Sequence, residues 1–248
     1  MSASSWTDEA AAAPHRLTTW LAWRPEWPGV VVIAAAWLWL AVQSVQVPAG
    51  HHEHGASGLM GLGTWTVMCV AMMLPLALPA LRHVAFNSFR GHRWSGMALL
   101  ATGFLVPWVA FGVVAIAIGE WLLAGWMSSA LLLAVLLVVA AGWQVSPPKR
   151  WAAFSCSRTV PLAPGGAREV GTRLEFGARQ SLRCMGACWP LMAVMVVLPH
   201  GVVGLLAMAA ATVGMVAEVT SRRRRTILPW LAAPLALAAV AAGLAVTW

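Results

Sequence analysis

Residues 60–93 read MGLGTWTVMCVAMMLPLALPALRHVAFNSFRGHR. Residues 60–81 carry no charged side chain and Arg82, Arg90 and Arg93 follow. That apolar length matches the roughly 20 residues a helix needs to cross a bilayer. The pattern recurs along the chain, and further apolar runs cover 29–47, 96–118, 126–145, 182–199, 201–220 and 227–246. The chain is 60% hydrophobic and 10% charged, against roughly a quarter charged in a soluble domain. The fold class expected is all-α, a polytopic transmembrane bundle of about seven helices. It forms one membrane domain over 29–248, after a leader over 1–28 that reads as retained, not as a cleaved signal peptide.

Loop charges orient the bundle. With the N-terminus cytoplasmic, Arg82, Arg90 and Arg93, the stretch from Lys149 to Arg183, and Arg222 to Arg225 all fall inside. The connectors 48–59 and 119–125 then fall outside and carry no Lys or Arg, as the positive-inside rule requires. The net charge of +8 is therefore a topology signal, and nucleic acid is not an expected partner. Trp20, Trp23, Trp27, Trp94, Trp121, Trp126, Trp143, Trp151 and Trp230 stand near the ends of apolar runs, as interfacial anchors do. The connector 146–181, with Pro147, Pro148, Pro161 and Pro164, reads as cytoplasmic loop with a short surface helix.

Of 4 cysteines and 12 methionines, nine fall in two short windows. One holds Met68, Cys69, Met72 and Met73, and the other Cys184, Met185, Cys188, Met192 and Met195. At about 100° per residue, Cys184, Cys188, Met192 and Met195 share one face of a helix. Soft thiolate and thioether ligands favour copper(I). Close helix packing accounts for methionine and cysteine equally well at single positions. A disulfide between Cys184 and Cys188 is disfavoured by their spacing on a helix and by a reducing compartment.

Each window runs into prolines, Pro75 and Pro79 in the first and Pro190 in the second. Pro75 and Pro190 release the carbonyls of Ala71 and Gly186, which in lipid need a substitute partner from protein, water or an ion. The windows resemble each other on oppositely directed helices, so helices two to four and five to seven form a candidate inverted repeat. Outside, His51, His52 and His54, with Glu53 between them, form a loop cluster able to collect Cu(II) or Zn(II). Glu218 is the only acidic residue inside an apolar run, and it reads equally as a functional group and as half of a structural ion pair with Arg222 to Arg225, which begin one turn away. Met208 and Met215 lie seven residues apart on that same helix; they either continue the sulfur lining or, the simpler reading, serve as packing. No catalytic motif, nucleotide loop or bis-histidine haem pair is present, so neither haem nor nucleotide is expected and the chain is not read as an enzyme.

Ala71-Met72-Met73-Leu74-Pro75, Gln144 with Pro147 and Lys149, Cys184-Met185-Gly186-Ala187-Cys188-Trp189 with Met192, and Glu218 together resemble the bacterial family of predicted metal-binding integral membrane proteins, domain of unknown function number 2182. The resemblance covers about residues 60 to 225 and implies a multi-pass protein of the bacterial plasma membrane that binds metal. The chain departs from that pattern at Ala152, Ala187 and Val219, leaving Cys156 as the connector's sole cysteine. Copper(I) handling is the function expected, by binding, transport or delivery to a membrane-bound copper enzyme, with such an enzyme or a copper chaperone as partner. The metal ligands expected are Cys184, Cys188, Met192, Met72, Cys69, Met73 and Met68, with Met195, Cys156, His51, His52, His54 and Glu218 as weaker candidates. The competing expectation is an accessory subunit that packs against a larger membrane enzyme.

Overall fold

In apolar surroundings a backbone must satisfy its own hydrogen bonds, and for isolated apolar runs of this length only the helix does so. The computed structural model describes residues 23–46, 61–125, 127–155, 168–198 and 201–220. Among the described residues there are seven α-helices and no strand. They are α1 (Trp27–Gln46), α2 (Leu62–Phe86), α3 (Arg93–Gly125), α4 (Ser129–Val145), α5 (Pro147–Ser155), α6 (Arg168–Val197) and α7 (Val202–Thr220). Five of them, α1, α2, α3, α6 and α7, are long and apolar enough to cross a membrane, and a sixth span arises if α4 and α5 count as one bent segment. Residues 1–22 of the expected leader, the helix over 227–246, Arg222 to Arg225, Cys156 and the loop of His51, His52 and His54 lie outside the described residues.

Helix α2 is the centre of the bundle. Trp65, Met68, Cys69, Met72 and Met73 on it have no solvent exposure at all. Helices α1 and α3 flank it, α7 packs on α2 and α1, and α6 lies against α3 on one side and against α4 and α5 on another. Small residues let these helices approach closely. A Cβ at Gly103 of α3 would sit 3.0 Å from the Leu174 backbone, and one at Gly177 of α6 would sit 2.9 Å from the Phe104 nitrogen.

Residues 168–181 correct the sequence expectation, which placed them in a connector. They form the first half of α6, a single 30-residue helix. The stretch is too polar to read as a span, yet its buried arginine finds partners on the inward face. Arg173 is 1% exposed, pairs with Glu169 one turn earlier and donates from Nη2 to Ser88 Oγ at 2.8 Å. Its guanidinium lies against Gly96, where any side chain would collide with it. A buried arginine is tolerable when carboxylate and hydroxyl partners replace its water.

The chain breaks at Ser146, whose backbone is extended (φ −72, ψ 144) as a residue before proline prefers. Pro147 then starts α5 at 70° to α4. This bend turns the short helix inward, so that Lys149, Ala152 and Ala153 are buried while Trp151 stays exposed.

Candidate metal site

The face of α6 that carries Cys184 and Cys188, one turn apart, meets α7 and α2 around a small cavity. Cys184, Cys188, Met215, Glu218 and Gln180 line it, with Leu76, Phe104 and Ala153 among the apolar residues that close it. Its volume is about 20 Å³, room for one water-sized occupant. Cys184 and Cys188 are buried and carry thiols, not a disulfide.

The acidic wall of the cavity is held by α5. Lys149 donates from Nζ to Glu218 Oε2 at 2.9 Å and to Gln144 Oε1. All three residues are buried. An ion pair with Arg222 to Arg225 was one expectation for Glu218, and those arginines lie outside the described residues; among the described residues its partner is Lys149, which the bend at Ser146 delivers from 69 residues away in sequence. The other carboxylate oxygen, Glu218 Oε1, is buried and has no hydrogen-bond partner among the described residues. A buried charged acceptor left unpaired is costly, so its position beside two thiols is informative.

Both carbonyls released by the prolines are taken by indoles. Trp37 Nε1 of α1 donates to Ala71 O at 3.0 Å, and Trp143 Nε1 of α4 donates to Gly186 O at 3.2 Å. Trp143, read from sequence as an interfacial anchor, is thus a brace, and its ring meets Trp189 edge-on at 5.6 Å. Neither carbonyl is left over for an ion. The ends of the bundle do carry exposed tryptophans, with Trp23, Trp94, Trp121 and Trp151 each at least half exposed.

Of the residues singled out in the sequence, Cys184, Cys188 and Glu218 come together at the cavity. Met68, Cys69, Met72, Met73, Met192 and Met195 are not in its lining, but all are buried in the same apolar cluster as the two cysteines. Met215 had been read as packing, yet it lines the cavity. Lys149 and Gln144 carried only the family resemblance, and their role emerges from the contact with Glu218. Among the described residues there is no group of three or more His, Cys, Asp and Glu suited to a metal ion. The cavity lining does bring two thiols and a thioether, which are soft groups, alongside a carboxylate, which is a hard one.

Fold and cavity together define an all-helical bundle, with five helices of membrane-crossing length, that gathers sulfur and carboxylate groups into its interior. The model of the PpoB2 copper chaperone family matches residues 62–246, and the chain belongs to that family. The match begins with α2 and so takes in every helix that lines the cavity. No curated protein and no solved structure matches the chain.

Proposed function

We propose that this chain is a copper(I) chaperone of the bacterial plasma membrane, which holds the ion inside its helical bundle and passes it to a membrane-bound copper enzyme. Copper is the cargo, and no chemical transformation is assigned to the protein. The observation that carries the reading is the convergence of Cys184, Cys188, Met215 and Glu218, whose Oε1 has no hydrogen-bond partner among the described residues, on a cavity sized for one small occupant. Two thiolates bind copper(I) tightly, and a thioether adds a neutral soft donor that leaves the ion exchangeable. Lys149 offsets the negative charge of Glu218 at 2.9 Å, which keeps the carboxylate in place while the cavity is empty of cation.

The absence of lysine and arginine from the connectors 48–59 and 119–125 supports a cytoplasmic N-terminus. In that orientation the cavity lies in the cytoplasmic half, near the end of α7. The chain shows no nucleotide-binding motif, so delivery follows a gradient or a partner's affinity.

The test is metal analysis of the full chain, purified anaerobically with reductant and reconstituted with copper(I). The Cys184→Ser/Cys188→Ser variant is expected to lose the cavity copper while remaining monodisperse. Unchanged copper content in that variant refutes the cavity as the site. A stoichiometric enzyme subunit co-purifying with metal-free wild type would favour the accessory-subunit reading instead.

A further inference from the structure

The cavity occupies one level of the bundle, and three of the five helices that line it continue in the same direction with sulfur. Leu76 of α2, Cys188 of α6 and Met215 of α7 all face the cavity. Seven residues along each helix stand Cys69, Met195 and Met208. Seven residues are close to two full turns, so each sulfur lies on the same face as the cavity residue, displaced by about 10 Å along the axis.

The directions agree as well. Helix α2 runs antiparallel to α6, since Ser88 beyond the end of α2 bonds to Arg173 near the start of α6 while Leu76 meets Cys184 and Cys188. Helix α7 follows α6 after residues 198–201 and brings its last turn back to the cavity. Moving backward along α2 and α7 and forward along α6 is therefore one motion, away from the cavity and toward the turn between α6 and α7. Cys69, Met195 and Met208 are all buried and belong to one packed cluster.

A second observation marks Cys69. It stands six residues before Pro75, as Cys184 stands six before Pro190. Both carbonyls four before these prolines are held by a tryptophan indole from a neighbouring helix. Helices α2 and α6 are thus built alike in opposite directions, with a cysteine at equivalent positions.

We infer that Cys69, Met195 and Met208 form a second copper(I) station, of one thiol and two thioethers, about 10 Å from the cavity. Met192 lies one turn beyond Cys188 on the same helix, between the two levels, and Met72 and Met73 lie between Leu76 and Cys69. The ion would then pass from the carboxylate-bearing cavity to a site with a single thiol and two neutral thioethers, from which a partner removes it more easily. In the proposed orientation this transfer carries copper toward the outer face. The inference rests on the copper reading.

The experiment titrates detergent-purified full chain with copper(I) against a chromophoric competitor, under anaerobic conditions. Wild type is expected to bind two equivalents. Cys184→Ser/Cys188→Ser keeps one, bound by about three sulfurs in X-ray absorption. Cys69→Ala with Met195→Leu and Met208→Leu keeps the other, since leucine preserves the volume of methionine. Cys69→Ala alone, the milder change, weakens the second equivalent by about tenfold or more and serves if the triple variant does not purify. One equivalent in wild type, unaffected by the Cys69 variants and lost with Cys184 and Cys188, overturns the second station and leaves the cavity reading intact. No copper in wild type overturns both.

Discussion

Replacing Lys149 by methionine removes a buried charge that holds two side-chain partners among the described residues. Its ammonium is 2% exposed and donates to Glu218 at 2.9 Å and to Gln144. Hydrogen bonds to charged groups contribute about 1.5–3 kcal/mol each, which bounds the loss at roughly 3–6 kcal/mol for two. Breaking a buried pair by removing one partner costs about 3–5 kcal/mol in other systems. The expected loss is therefore about 4 kcal/mol, near a thousandfold in the folded-to-unfolded ratio. Because the cost comes from leaving Glu218 buried without a cation, Lys149→Met/Glu218→Met should recover most of it. The assay is a double-mutant cycle of detergent-solubilised protein unfolded with SDS, repeated at low and high salt. Burial screens the pair from ions, so the coupling should change little with salt. A Lys149→Met protein within about 0.5 kcal/mol of wild type, or a double variant as unstable as the two single losses combined, would refute the reasoning.

Trp37→Phe leaves the Ala71 carbonyl orphaned and should cost about 1–3 kcal/mol. In a Pro75→Ala background the restored backbone N–H serves that carbonyl, so the same substitution should cost far less, as thermal unfolding will show. Trp143→Phe with Pro190→Ala is the parallel pair at Gly186, and equal costs in both backgrounds would argue against either brace. Gly177→Ala forces a methyl onto the α3 backbone and should destabilise by about 1–3 kcal/mol. Gly171→Ala on the same helix meets nothing within 4 Å and should stabilise by about 0.5–1 kcal/mol; similar melting shifts for the two would show that α3 and α6 are not in backbone contact.

The sequence by itself determined the helical class, because uncharged runs of membrane length admit no other regular backbone structure. Residues 60–81 carry that decision without help from any neighbour. It also singled out Cys184, Cys188 and Glu218, since clustered soft donors and a lone intramembrane acid are rare enough to stand out. It could not identify 168–181 as helix, because there the apolar pattern is interrupted by Glu169, Arg173 and Gln180, whose burial depends on partners from distant helices. Nor could it pair Glu218 with Lys149, which stands 69 residues away and is brought to the carboxylate only by the bend at Ser146. Met215 read as packing until α7 was placed against α6. Helical periodicity fixes which residues share a face, and so the sulfur stripes were legible. Which faces meet, at what level and in which direction, depends on close approaches such as Gly103 to Leu174, and only the tertiary structure decided that these stripes run on from one cavity.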